Sequence, residues 1–259
     1  MLEFIDHLGR KVQLASSPKR IISLCPAITA TLFSLALENE IVGRTRYCIY
    51  PKNKVEKAAI VGGTKEINLN KIRDLKPDLI IAEKEENTKE IVQQLEHEFP
   101  VYVFEVQSIE KNDRMIRDIG SITNRQHEAT SLIQRINEAF ANLPNLHGKR
   151  VAYVIWKDPY MVVGHSTYIQ SVLEAMNTVN PFKTLESRYP IVSFEDIQRA
   201  KLDYLLLATE PYAFTEKHVM ELRTTLKNTV PKLIDGEMLW YGANMLEAAN
   251  YLKNNFTES

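Results

Sequence analysis

The chain has 259 residues, 44% of them hydrophobic and 25% charged, with 32 basic against 33 acidic side chains. That is a globular composition, long enough for one large core or two lobes of ordinary size. Balanced charge excludes a strongly basic surface for nucleic acid or an anionic bilayer, and no run approaches the roughly 18 apolar residues of a membrane span.

The opening segment, MLEFIDHLGRKVQL, has early acidic residues and no apolar stretch of leader type. The expectation is a cytoplasmic chain, or one whose export signal has been removed. Short β-rich runs then alternate with longer helical patterns. Arg20–Leu24 is expected to be a strand, Ala27–Leu37 a helix and Glu40–Gly43 a second strand. Asn68 caps a helix that runs to about Leu75 and stops at Pro77. Leu79–Ala82 is an apolar strand. Thr88–Phe99 places Ile91, Val92, Leu95 and Phe99 at helical spacing, and Val101–Phe104 is the next strand. Such alternation argues for mostly parallel sheet covered by helices.

The pattern changes between Ser108 and Leu143. Ile109–Ile122 and Arg125–Leu143 follow as two helices with no strand between them. The second lines up Ala129, Leu132, Ile133, Ile136, Ala139, Phe140 and Leu143, and would be about 28 Å long. Alternation then resumes. Strands are expected at Arg150–Trp156, Tyr204–Ala208 and Lys232–Ile234, and helices at Thr167–Met176, Phe194–Ala200, Thr215–Lys227 and Gly242–Asn254. The expected class is α/β, with an N-terminal lobe over 1–107, a helical segment containing a linking backbone helix over 108–147, and a C-terminal lobe over 148–259. Both lobes are Rossmann-like with mostly parallel sheets.

The two halves also share a repeat. INLNKIRDLKPDLIIAEKE, starting at Ile67, matches VSFEDIQRAKLDYLLLATE, starting at Val192, at a constant offset of 125. Ile67 meets Val192, Asn68 meets Ser193, Ile72 meets Ile197, Lys76 meets Lys201, Asp78 meets Asp203 and Glu85 meets Glu210. Each copy is a capped short helix, a Lys-x-Asp turn, a buried strand and an acidic loop. Glu85-Glu86-Asn87 is expected to start a helix.

The ordered set RIISLCPAITATLFSLAL, IVGRTRYCIYP and VGGTKEINLNKIRDLKPDLIIA resembles the N-lobe of class III solute-binding proteins. These are the vitamin B12 and iron–siderophore binding components of ABC importers, with the helical-backbone fold. KLDYLLLATEPY and DGEMLWYGANMLEAANYL resemble the matching C-lobe elements, and WKDPYMVVG with DGEMLWYG resembles the signal-less helical-backbone metal receptor group. The resemblance implies a monomer of two lobes joined by one helix, with a cobalamin, haem or ferric-siderophore ligand held between them. No cofactor is required. It also implies an acidic docking residue on each lobe for an ABC permease. Glu195 fits in the C-lobe, but the N-lobe position is the neutral Asn70.

The loops after the strands carry the candidate ligand-binding residues: Tyr47, Cys48, Tyr50, Lys65, Trp156, Tyr160, Arg188, Tyr189, Tyr212, Trp240 and Tyr241. Aromatic rings supply flat apolar area with a polar tip, which suits a macrocycle or catecholate. Arg44, Arg46, Lys65, Lys157 and Arg188 are placed to hold carboxylates or a net negative chelate. Cys25 is expected to be a small buried hydrophobe. Cys48, between Tyr47 and Tyr50, is the candidate for a soft metal contact. Gly62-Gly63-Thr64-Lys65 lacks phosphate-loop spacing and is expected to be a tight turn. No catalytic motif such as GxSxG, HExxH or a dinucleotide fingerprint occurs, so the expectation is a binding protein and not an enzyme. The alternative is a cytoplasmic metal- or tetrapyrrole-handling protein or chelatase-like enzyme with no permease partner.

Overall fold

A computed structural model describes residues 1–256. The chain opens with a hairpin, β1 (Leu2–Ile5) and β2 (Lys11–Leu14). It continues through β3 (Ile21–Ser23), α1 (Pro26–Ser34), β4 (Ile41–Arg44), α2 (Lys52–Val55) and β5 (Ala59–Ile60). Next come α3 (Leu69–Leu75), β6 (Leu79–Glu83), α4 (Lys89–Glu96) and β7 (Val101–Phe104). Two 15-residue helices follow, α5 (Ile109–Thr123) and α6 (Gln126–Phe140). The second half has β8 (Val151–Trp156), β9 (Tyr160–Val162), α7 (Tyr168–Ala175), β10 (Ile191–Val192) and α8 (Phe194–Arg199). It ends with β11 (Tyr204–Ala208), α9 (Glu216–Thr225), β12 (Val230–Ile234) and α10 (Met245–Phe256).

Two five-stranded sheets result, in the orders β5-β4-β3-β6-β7 and β10-β9-β8-β11-β12. All pairings in the first are parallel. In the second, β8, β11 and β12 are parallel, and β9 runs antiparallel to both β8 and β10. The chain divides into two compact units. The first holds residues 1–106, 110–136 and 242–244, and the second holds 107–109, 137–241 and 245 onward. Helix α6 passes from the first unit to the second after Ile136. Each unit has its own core. Ile22, Leu24, Val61, Ile72, Ile80, Ile91, Leu95 and Val103 cluster in the first. Ala152, Val154, Ile197, Leu205, Leu207, Val219 and Leu222 cluster in the second. Strand β6 is buried at all five positions, as a parallel strand covered on both faces must be.

The offset-125 repeat corresponds to α3–β6 in one unit and α8–β11 in the other. The side chains of Asn68 and Ser193 cap the two helices by accepting the N–H of Lys71 and Asp196. Both helices end at a lysine in the left-handed region, Lys76 (φ 45°) and Lys201 (φ 46°). That conformation turns the chain so that Asp78 and Asp203 meet the neighbouring strand. Asp78 accepts the backbone N–H groups of Lys19 (2.7 Å) and Arg20 (2.8 Å). Asp203 accepts the N–H of Arg150 (2.8 Å) and the Lys149 ammonium (3.0 Å). The arginine itself reaches back to the end of the repeat's helix. Arg20 donates to the Leu75 carbonyl at 2.7 and 2.9 Å, and Arg150 to that of Ala200 at 2.8 Å. The hydrogen bond from the Arg150 backbone N–H, and then that from the Lys149 ammonium, hold the Asp203 carboxyl below its ordinary value.

The structure corrects several local expectations. The hairpin β1–β2 and the short strands β5, β9 and β10 escaped the sequence pattern; β5 and β10 have only two residues each and carry no periodicity. The hairpin turn is fixed by Asp6, whose carboxylate accepts the N–H of Leu8 (2.9 Å) and Arg10 (2.8 Å). Helix α6 stops at Phe140 and not at Leu143, since the chain tightens into i→i−3 turns (Leu143 N–H to Phe140 O, 3.2 Å) before Pro144. Residues 84–87 form a turn and not the start of a helix; Thr88 is the cap of α4.

Asp78→Ala frees two backbone N–H groups and is expected to cost about 1–2 kcal/mol, the cost of removing a helix cap. Asp203→Ala should cost a similar amount. Urea denaturation of each variant checks this, and a change below about 0.3 kcal/mol in both would contradict it.

Candidate functional site

Parallel strands deliver their following loops to one edge of a sheet. In the first unit, β4 leads into Thr45–Pro51, β5 into the turn Gly62–Glu66, and β6 into Lys84–Asn87. Two expected site residues are internal. Arg44 is 8% exposed, and its guanidinium donates to the carbonyls of Val55 (2.8 Å), Cys48 (3.0 Å) and Thr45 (3.2 Å). It shapes the loop and does not offer a cation to a ligand. Cys48 is 1% exposed, with its sulfur 3.1 Å from the hydroxyls of both Thr29 and Thr45. Burial pushes its thiol up. The expected soft metal contact is therefore corrected, for the sulfur faces the core and is protonated in the neutral pH range. Among the described residues no group of three or more His, Cys, Asp or Glu is arranged to hold a metal ion. Cys25 is buried, as expected.

What this loop presents outward is Arg46, Tyr47 and Tyr50. Tyr47 is 52% exposed, the Arg46 guanidinium lies 6.0 Å from its ring centre, and Arg46 pairs with Glu66. Lys52 sits 5.8 Å from the Tyr50 ring. The adjacent turn requires glycine at position 62. Gly62 has φ 142°, and a Cβ there would stand 2.4 Å from the Glu66 carbonyl oxygen. Lys65 is exposed and donates to the Glu85 carbonyl at 2.5 Å.

Sequence reading counts Glu83 to Asn87 among the loops at this edge but gives Glu83 and Asn87 no role of their own. Glu83 is 3% exposed, and one carboxylate oxygen accepts the N–H groups of Glu85 (2.7 Å) and Glu86 (3.0 Å). Asn87 accepts the Glu83 N–H at 2.9 Å and donates to the carbonyls of Leu24 (3.2 Å) and Thr64 (3.0 Å). Burial pushes the Glu83 carboxyl up from 4.5 to about 7, against the opposing effect of those N–H donors. The one available signal was an acid closing an otherwise apolar strand.

In the second unit, β8, β11 and β12 bring Trp156, Glu210–Tyr212 and Trp240–Tyr241 to one edge. Trp156 is 41% exposed and meets Tyr212 edge-on at 5.6 Å. Tyr212 in turn rests on Phe214 at 4.6 Å. The Trp240 indole N–H donates to a Glu210 carboxylate oxygen at 2.5 Å, and Tyr241 contacts Tyr168 edge-on at 5.9 Å. Gly236 fits closely beneath Glu210, where a Cβ would lie 2.4 Å from Glu210 Cγ. Tyr160 begins β9, half-buried, with its ring 6.5 Å from that of Phe194. Burial raises its phenol. Tyr160 also lines a cavity of about 230 Å³ with Lys157, Phe194, Phe214, His218 and Glu221.

Arg188 and Tyr189 precede β10; Arg188 donates to the carbonyl of Ser166 (2.8 Å), two residues before Tyr168, and its own carbonyl accepts the Gly164 N–H (2.8 Å). Glu195 and Asn70 occupy equivalent exposed positions, each the second residue of its helix. Asn70 accepts a hydrogen bond from Arg73 at 3.2 Å.

Two α/β sheets of matching strand order, with aromatic and cationic loops on their C-terminal edges, are the architecture of a solute-binding protein. The sequence matches the periplasmic binding protein family over residues 21–229, and the chain belongs to that family. The vitamin B12-binding protein of Vibrio vulnificus is 27% identical over 197 residues, covering 72% of this chain and 70% of that one. The fold is shared with the petrobactin-binding protein YclQ of Bacillus subtilis, with a TM-score of 0.85, 18% identity and coverage of 100% and 99% of the two chains. It is also shared with the periplasmic heme-binding protein HutB of Vibrio cholerae, with a TM-score of 0.76, 20% identity and coverage of 92% and 99%. No helix among the described residues is long and apolar enough to cross a membrane.

Gly236→Ala forces Glu210 away from its place and should release the Trp240 indole, with a red-shifted emission and a loss of about 1–3 kcal/mol. Fluorescence and thermal melts of the variant check this.

Glu83 also sets a pH dependence. Its folded value lies above its ordinary one, so the folded protein binds the proton more tightly than the unfolded chain. Its contribution to stability is full below 4.5 and is lost as pH rises to about 7. Thermal melts between about pH 5 and pH 8 should show Glu83→Gln losing less stability with rising pH than the native protein. Parallel curves would contradict the assignment.

Proposed function

We propose that this chain captures a metal chelate of corrinoid, haem or ferric-siderophore type and delivers it to an ABC-type permease. The observation that carries this reading is the cluster of Trp156, Tyr212, Trp240 and Tyr241 on one edge of the second sheet, in a chain of a binding-protein family. Their rings supply rigid flat area for a macrocycle or catecholate, and polar tips for its substituents. Arg46, Lys65 and Lys157 supply charge for carboxylates or an anionic complex. Tyr47 and Tyr50 extend the aromatic surface in the first unit. Relatives and structural neighbours named for vitamin B12, heme and petrobactin support the range of ligands.

Glu195, exposed in the first turn of α8, is the proposed permease contact, while Asn70 leaves the corresponding position neutral. Docking then relies on one acid where importer relatives are expected to use two. The family description favours work outside the cytoplasmic membrane, and the cytoplasmic expectation finds no support in it. A chelatase-like enzyme is likewise not favoured, since the family is one of binding proteins. We take the acting form to be the monomer.

Both tryptophans lie on the second unit's edge, so intrinsic fluorescence reports directly on it. Titration with cyanocobalamin, haemin and a ferric catecholate siderophore should quench it with at least one of them. Trp156→Phe should weaken that ligand about tenfold, the worth of one aromatic contact. No quenching and no thermal shift with any of the three would overturn the proposal.

A further inference from the structure

We propose that Glu83 is the positioning residue of the first unit's ligand-facing edge, and that the charge on its carboxylate governs how firmly the Lys84–Asn87 turn and Lys65 are held. This rests on the reading of Lys65 as a ligand residue. The argument begins with the repeat. At offset 125, Glu83 corresponds to Ala208, which closes β11 as Glu83 closes β6. The equivalent strand end in the second unit is thus built with a methyl group. A carboxylate at the same place, 3% exposed, is costly to bury and needs a use.

The bonds around it show the use. Oε2 accepts the N–H groups of Glu85 and Glu86, and Oε1 lies 3.4 Å from the N–H of Val106, just beyond β7. The turn is tied from its far end by Asn87 to Leu24 and Thr64, the loops that follow β3 and β5. The carbonyl of Glu85 then receives the Lys65 ammonium. Two successive hydrogen bonds therefore run from a buried carboxylate through one turn residue to an exposed cation.

The charged groups around Glu83 are few. Glu85 and Glu86, on its own turn, oppose its ionisation. Lys65, from the neighbouring turn, faces Glu86. On the β7 side Glu105 is paired with Lys84, and His7 bonds the Glu105 backbone and the Asp118 carboxylate. Ionised, Glu83 makes charge-assisted bonds roughly twice as strong as neutral ones. Its protonation leaves Oε2 a neutral acceptor, and the turn slackens with Lys65 attached to it. Proton uptake inside the unit is in this way expressed at its surface.

Backbone amide shifts of Glu85, Glu86 and Val106, followed by NMR between about pH 5 and pH 8.5 in the ligand-free protein, test this. The three should titrate with one midpoint, shared by the Glu83 side-chain carboxyl carbon. The Lys65 ammonium should move with them. Exchange protection at Glu85 and Glu86 should fall about tenfold on crossing to the acid side. In Glu83→Gln the common titration should vanish. Amides that titrate with separate midpoints, or unchanged in the variant, would overturn the proposal. Should the variant not fold, the match between the carboxyl and amide midpoints in the native protein decides it. Haemin serves as the anionic probe in a second arm. Its affinity should change with pH across the same midpoint in native protein and not in the variant, and equal pH profiles would count against Glu83. Failure of haemin to bind native protein at any pH would instead count against haem as the ligand, and the amide titration would still decide the role of Glu83.

Discussion

Each sheet is organised by an aspartate that grips the start of the strand beside it. Asp78 holds the backbone leading into β3, and Asp203 holds the backbone leading into β8. In return, Arg20 and Arg150 cap the helices α3 and α8 through the carbonyls of Leu75 and Ala200. One exchange of bonds fixes helix end, turn and strand register together. It operates at the edge opposite the loops that follow the strands, so those loops are free to vary in sequence while the strands that carry them stay in place. The left-handed lysines Lys76 and Lys201 belong to the same device, because only that bend aims the aspartate at its partner strand.

On this common frame the two units carry different chemistry. The second gathers large rings, with Trp156 against Tyr212 and Trp240 tied to Glu210. The first exposes one prominent ring, Tyr47, among Arg46, Lys52 and Lys65, above a buried carboxylate and amide.

Much of the architecture was legible because it is written in periodicity. The strands at Val101–Phe104 and Tyr204–Ala208 are bounded as their apolar runs suggest, and the α5–α6 pair interrupts the alternation where the pattern changes. The repeat was legible for a stronger reason. Caps, left-handed lysines and clamping aspartates are all fixed by backbone geometry, which tolerates few residue types. The loops were less so. Cys48 lies between exposed neighbours, yet the buried Arg44 folds the loop back so that its sulfur faces Thr29. Glu83 was hidden because an acid at a strand's end resembles the solvated start of a loop. Only its buried bonds reveal otherwise.

The hydrogen bond between Trp240 and Glu210 has a consequence for recognition. A tryptophan on a loop ordinarily samples several rotamers, and a ligand that uses it must select one, with a loss of entropy on binding. Here the indole N–H is already tethered, and Gly236 leaves the space in which Glu210 can hold it. The ordering of that ring is completed when the chain folds. Its polar edge is occupied, so the face of the ring is what remains to offer. For a ligand of the proposed kind, selectivity at this position would depend on the shape and polarisability of the incoming surface and not on a match of donors to acceptors. Such a contact tolerates a family of flat ligands more readily than it discriminates among them.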